Sequence, residues 1–195
     1  GFRIDAFALP FVGIGAVLML AGRTLRARAL GQALAGFGVL FLGIDVLKDS
    51  FSGVGSMVDL QDFIAPGFAG WLILIGIGTL LTVLMQASGA VIAIVITAAQ
   101  GGLLTVEAAC AMVIGTNIGT TSTAILSAMG ATSNARRLAA AHVLFNFVTG
   151  AMALLMLPLL IALLGMLREL FEQPATPAVM IAMFHTAFNL LGVLL

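Results

Sequence analysis

The sequence has 195 residues, 62% of them apolar and 8% charged, with a formal net charge of zero. Soluble domains carry roughly 25% charged residues. This composition, with a mean hydropathy of +1.22, therefore excludes a soluble globular domain and specifies an all-α, polytopic protein of the cell membrane. The neutral balance and the absence of a polybasic run give nucleic acid no face to bind, and the single Cys110, in an Ala-rich helical pattern, excludes a disulfide framework.

Gly1–Asp5 lacks the shape of a signal peptide, and both ends read as cut from something longer. Phe7–Ala21 is an apolar run, short for a span of about 20 residues, followed by Arg23, Arg26 and Arg28. Gly31–Leu47 is the next span. Asp45 falls near its end, where the choice is between an interfacial carboxylate and a buried functional one. Lys48–Ala69, with Asp49, Asp59, Asp62 and Pro66, reads as an exposed loop with a short interfacial helix at Met57–Ile64. Trp71–Met85 is apolar, with Trp71 placed as an interfacial aromatic. A polar break at Gln86-Ala87-Ser88-Gly89 precedes a second apolar run, Ala90–Ala99, and a turn at Gln100-Gly101-Gly102. Thr105 is a plausible N-cap with Glu107 in the first turn of the helix that follows. That helix meets a second break at Gly115-Thr116-Asn117-Ile118-Gly119-Thr120-Thr121 and resumes to Met129. After a loop at Gly130–Asn134 and the pair Arg136-Arg137, Leu138–Leu157 is a full span. Ile161–Gln173 carries Arg168, Glu169 and Glu172, and Ala178–Leu195 is the last span.

Lengths and charges decide how the centre sits. As one straight helix, 71–99 is about 43 Å long at about 1.5 Å per residue, against about 30 Å of hydrocarbon. Folded at Gln86–Gly89, it becomes a re-entrant helical hairpin whose arms reach mid-membrane. The segment 106–129 is long enough to cross once, as a discontinuous helix. Cytoplasmic loops collect Lys and Arg. With the hairpin, the Arg23–Arg28 loop and Arg136-Arg137 share one side; with a full crossing they do not.

Non-helical backbone at membrane depth persists only when buried in protein or lining a cavity. Two polar breaks about 30 residues apart, at mid-membrane, are the usual build of a secondary-transporter site. None of the polar groups in them is ionisable. Hydroxyls, amides and freed carbonyls suit a hard monovalent cation such as sodium, and the amides of half-helix N-termini suit an oxyanion. Taken singly, each Ser or Thr has the alternative of bonding back to its own helix, and Gly89, Gly115 and Gly119 that of helix packing.

The two clusters resemble the second repeat of the sodium-dependent phosphate cotransporter family. That family carries Gln-Ser-Ser-Ser about 30 residues before Gly-(Ala/Thr)-Asn-Ile-Gly-Thr-Thr. The second motif is matched in full and the first at Gln86 and Ser88, Ala87 and Gly89 replacing two serines. The resemblance runs from about Gly31 to Leu195. It implies one half of an inverted-repeat transporter working by alternating access: residues 1–69 as two spans and an extracytoplasmic loop, and 70–195 as the repeat, with hairpin, broken helix and two further spans. It implies that Gln86, Ser88, Gly89, Thr116, Asn117, Thr120 and Thr121 surround substrate and ion, with sodium at Gln86, Ser88, Asn117 and Thr120. No cofactor beyond sodium as coupling ion is implied. The implied partners are inorganic phosphate, sodium, membrane lipid, and a second repeat supplied by a missing N-terminal half or by a second copy in a homodimer.

A further echo joins His142-Val-Leu-Phe-Asn146 to His185-Thr-Ala-Phe-Asn189. Each puts His and Asn on one helical face. The two spans are expected to pair around these stripes, for packing or as accessory groups in proton or substrate handling. Two rival readings remain: a non-transporting structural or regulatory half, and a rhomboid-like serine protease. The second rests on Ala87-Ser88-Gly89 and Ala141-His142, which resemble pieces of that family, and requires Ser88 within hydrogen-bond reach of His142.

Overall fold

The computed structural model describes residues 7–55 and 67–194. Within them are helices α1 (Ala8–Ala21), α2 (Leu25–Gly55), α3 (Phe68–Met85), α4 (Ser88–Gln100), α5 (Val106–Gly119), α6 (Thr121–Ala128), α7 (Ser133–Leu155), α8 (Leu157–Leu170) and α9 (Pro177–Leu194). The expected interfacial helix at Met57–Ile64 lies outside the described residues. Five helical stretches are long and apolar enough to cross a membrane: Leu25–Phe51, Phe68–Met85, Val106–Ala128, Ser133–Leu155 and Pro177–Leu194. The protein is an all-α, multi-pass membrane protein.

The chain divides into two compact units, Gly1–Ser50 and Phe51–Leu195. In the first, α1 and α2 form an antiparallel hairpin whose backbones touch through small residues. A Cβ on Gly31 would lie 2.7 Å from the Gly15 carbonyl oxygen, and one on Gly38 2.6 Å from that of Ala8. Phe37 packs its ring against Phe11 and Phe41, at 5.8 and 4.8 Å between centroids. The Arg28 Nε donates to the Gly22 carbonyl (2.9 Å) and closes the turn. The helix α2 does not stop at Leu47 as expected. It runs to Gly55, so Lys48–Gly55 is helix rather than loop, and half-buried Asp45 lies ten residues before its end.

In the second unit α5 is the axis. Every residue from Ala108 to Thr116 is buried, because the stretch is apolar or small all round and so offers a packing surface on every side. Of an apolar 18-residue stretch within Val106–Ala128, 56% is buried, against 22–28% of the corresponding stretches of α3, α7 and α9. The Thr105 hydroxyl accepts from the Ala108 N–H (3.1 Å), and Glu107 occupies the first turn, so the N-cap expected from the sequence forms.

The main partner of α5 is α3, and the two run parallel: Gly78 meets Met112, Gly115 meets Ile75 and Thr79, and Gly119 meets Thr82. A Cβ on Gly115 would overlap the Ile75 carbonyl oxygen, and the Thr79 hydroxyl donates to the Gly115 carbonyl at 3.0 Å. The helix α4 is joined to α5 by only Gly101–Thr105, so those two are antiparallel. It follows that α3 and α4 form an antiparallel hairpin whose tip, Gln86–Ala87, lies beside Gly119. The helix α7 closes on α5 where Gly150 meets Ile114 and Ile118. It meets α9 where Gly192 meets Phe145 and Thr149.

Candidate functional site

The hairpin tip is a true break. Gln86 caps α3 in the left-handed region (φ 54°, ψ 26°), its N–H still donating to the Thr82 carbonyl at 2.8 Å, and extended Ala87 (φ −150°) starts α4. A non-glycine residue at positive φ is uncommon. Here the side chain supports it: Gln86 Nε2 donates to the Val83 carbonyl (2.6 Å) and reaches Ser122 Oγ (3.4 Å) on α6. No side chain caps α4 and no acidic residue sits in its first turn; no basic residue sits in the last turn of α3. The partial positive charge of one helix end and the partial negative charge of the other therefore meet at the tip without a side-chain charge to neutralise them.

The second cluster does not unwind as expected. The interruption between α5 and α6 is one residue, Thr120, which keeps right-handed dihedrals (φ −62°, ψ −22°) and an N–H bond to the Thr116 carbonyl at 3.1 Å. What marks the junction is a series of hydroxyls donating three residues back along the helix: Thr116 to Val113 (2.8 Å), Thr120 to Asn117 (2.6 Å), Thr121 to Ile118 (2.7 Å) and Thr123 to Thr120 (2.9 Å). Such bonds compete with the helical ladder and perturb the helix without opening it.

Tip and junction face one cavity of about 300 Å³, lined by Thr82, Gln86, Ala87, Ser88, Gly89, Gly119, Thr120, Ser122 and Thr123. None of these is ionisable. Of the residues expected at the site, Gln86, Ser88, Gly89 and Thr120 line the cavity. Thr116 and Thr121 are buried (1% and 5% exposed) and do not line it. Asn117 turns to α7, its Nδ2 donating to Asn146 Oδ1 at 2.7 Å. The same heptapeptide thus divides its labour: Gly115 and Gly119 pack on α3, Asn117 ties α7, and Thr120 faces the cavity. Gly89 has nothing within 4 Å of where a Cβ would stand, so open space surrounds it.

Sequence reasoning missed Thr82, Ser122 and Thr123. Two signals could have found them: Thr82 lies one helical turn before Gln86, and Ser122-Thr123 continue the hydroxyl run beyond the motif.

The cavity hydroxyls have a definite polarity. Thr82 donates to Gly78 (2.9 Å), while Thr120 and Thr123 donate as above. A hydroxyl whose proton is committed to a carbonyl has only lone pairs left to offer. Both hydrogens of the Gln86 amide are engaged as well, leaving its Oε1 as acceptor. The walls therefore present oxygens, and the uncapped start of α4 presents amides.

The His and Asn pairs do not come together. Asn146 is buried and donates to the His142 carbonyl (2.9 Å); Asn189 is exposed and donates to the His185 carbonyl (2.7 Å). The helices α7 and α9 meet at Phe145, Thr149 and Gly192 instead of at the stripes. His142 lines a separate groove with Ala124, Ser127 and Ala128 of α6. It has no bond to Ser88 among the described residues, where no cluster of three or more His, Cys, Asp or Glu could hold a metal ion either.

The family model described as Na+/Pi-cotransporter matches residues 1–49 and 58–193, extending the likeness to α1. An uncharacterized Bacillus subtilis protein, YqeW, is 30% identical over 93% of this chain and 57% of its own length. The putative inorganic phosphate export protein YjbB of Escherichia coli is 26% identical over 96% of this chain and 34% of its own. The human sodium-dependent phosphate transport protein 2B is 34% identical over 66% of this chain and 19% of its own. This chain accordingly spans about half or less of the length of these relatives. No solved structure matches it. The family is one of transporters, which removes the protease reading, and its model covers nearly the whole chain: this protein belongs to the Na+/Pi-cotransporter family.

Proposed function

We propose that this chain forms one half of a sodium-coupled transporter of inorganic phosphate, with the α3–α4 hairpin re-entrant and its tip holding ion and anion near the midplane. The observation that carries the reading is the uncharged polar cavity shared by the hairpin tip and the α5–α6 junction. Depth supports it. The span Val106–Ala128 is about 35 Å long and the tip stands level with Gly119, about 20 Å from its start. The α3–α4 tip then stops inside the depth that α5–α6 crosses, and α4 returns to the side from which α3 entered.

The chemistry supports sodium and phosphate together. Hydroxyl and amide oxygens suit a hard cation, and the α4 amides suit the anion. A structural or regulatory half needs no ion-sized space at its breaks, so the cavity speaks against that alternative. Two relatives are named for phosphate, one as an exporter and one as a sodium-dependent transporter, and both names fit the same site chemistry. The second half of the site comes from a second repeat or a second copy, and the mechanism is alternating access.

The test is uptake of labelled phosphate by the intact protein in proteoliposomes, with and without a sodium gradient and against sulfate as competitor. Wild type accumulates phosphate only with sodium. Gln86→Gly, which suits the left-handed backbone but removes the amide, loses that accumulation while still inserting. Sodium-independent uptake by wild type, or normal uptake by Gln86→Gly, defeats the reading.

A further inference from the structure

The cavity is tied to α7 through Asn117, whose side chain and main-chain carbonyl each make a hydrogen bond. Asn146 Nδ2 donates to the His142 carbonyl at 2.9 Å, one turn back on its own helix. That fixes the amide's orientation, because the carbonyl can only accept; Oδ1 therefore faces α5 and takes Asn117 Nδ2 at 2.7 Å. The main-chain carbonyl of Asn117 accepts the Thr120 hydroxyl at 2.6 Å, and Thr120 lines the cavity together with Gln86. Asn146 is 7% exposed, so its bonds are protected from competing water. Gly150, one turn further along α7, lets that helix close on Ile114 and Ile118 to either side of Asn117.

We infer that Asn146 is a positioning residue for the cavity: by anchoring Asn117 it holds the carbonyl that orients the Thr120 hydroxyl, and so sets how tightly the site holds a monovalent cation. The inference rests on the proposed function. Its physical content is specific. Without the anchor, the Asn117 turn can rotate and its carbonyl no longer fixes the Thr120 proton, so the lone pairs are no longer held toward the cavity. An ion-binding step weakens while the rest of the cycle stands. Asn189 makes the same backward bond as Asn146 (2.7 Å) but is exposed, so the sequence echo by itself does not create the linkage.

The experiment titrates sodium against choline in proteoliposomes of the intact protein and reads both half-saturation and maximal rate of phosphate uptake. Asn146→Ala is the direct variant. Asn146→Ser carries the test should the alanine protein not assemble, because serine can still donate to the His142 carbonyl but is too short to reach Asn117. The expected result is a sodium half-saturation raised about fivefold, the loss of one net hydrogen bond, with the maximal rate at saturating sodium within about twofold of wild type. In Asn146→Ser/Thr120→Ala the sodium dependence should be no worse than in Thr120→Ala alone, because both act on one oxygen. An unchanged half-saturation, a fall in maximal rate alone, or effects of the two substitutions that multiply would each overturn the inference. Gln86→Gly separates the two claims. If it keeps sodium-driven uptake, the cavity reading fails. If it loses uptake while Asn146→Ser behaves as wild type, only the role of Asn146 fails.

Discussion

At the scale of single residues, what matters is where each hydroxyl sends its proton. Thr116, Thr120, Thr121 and Thr123 all donate backward along α5 and α6, yet only Thr120 and Thr123 line the cavity. Back-bonding and ion binding are therefore compatible roles for a hydroxyl and not rival ones, since donation leaves the oxygen's lone pairs for a cation. Thr120→Val should raise the sodium half-saturation of phosphate uptake about tenfold, the loss of one interaction with a charged group, and Thr120→Ser should restore it. Equal curves for valine and wild type would remove Thr120 from the site. Residue type could not separate Thr120, which lines the cavity, from Thr116 and Thr121, which do not. That separation depends on which side of α5 faces α3, α7 or empty space.

At the scale of elements, the contact between α3 and α5 holds the second unit together, and glycine sets its distance. Gly78 and Gly115 have the opposite backbone where a Cβ would stand, and Gly119 has the Thr82 Cβ at 2.6 Å. Apolar side chains gain little by leaving lipid for protein, so close backbone approach and dispersion supply the attraction between spans. Gly115→Ala should destabilise the protein by about 3 kcal/mol or more through overpacking that backbone cannot relieve. Gly89→Ala, with open space around it, should hold the thermal midpoint of wild type. Trp71 fluorescence during heating in detergent reads both, and similar midpoints for the two variants would show that the helices do not rely on this approach. The sequence offered helix packing as one reading of Gly115 and Gly119; the parallel register of α3 against α5 places both in that contact, with Gly119 also in the cavity wall.

At the scale of the whole molecule, the question is which loops share a side of the membrane. Parallel α3 and α5, with α4 antiparallel between them in the chain, put Gly67 and the Gly101–Gly102 turn at one end of the second unit and Gly130 at the other. Single cysteines at these three positions, labelled in sealed vesicles with a membrane-impermeant maleimide, should react from one side at Gly67 and Gly102 and from the opposite side at Gly130. Cys110, with no exposed surface, should add little background. Labelling of Gly67 and Gly102 from opposite sides would mean that α4 crosses and that the hairpin is not re-entrant. The sequence favoured this arrangement through its arginines, because only a re-entrant hairpin keeps the Arg23–Arg28 loop and Arg136-Arg137 on one side, as cytoplasmic loops that collect positive charge require.

Composition and run length alone determined that the protein is a bundle of membrane helices, because in hydrocarbon a long continuous apolar run satisfies its backbone within itself only as a helix. The Gln86 break and the Thr105 cap were legible too, since each depends on a handful of neighbouring residues. The end of α2, the persistence of helix through Thr120, the separation of the His and Asn stripes, and the turning of Asn117 toward Asn146 were decided only by tertiary structure. A polar residue on a helix has several possible partners, and which one it meets depends on helices distant in sequence brought to within 3 Å, as in the bond between Asn117 and Asn146, 29 residues apart, at 2.7 Å.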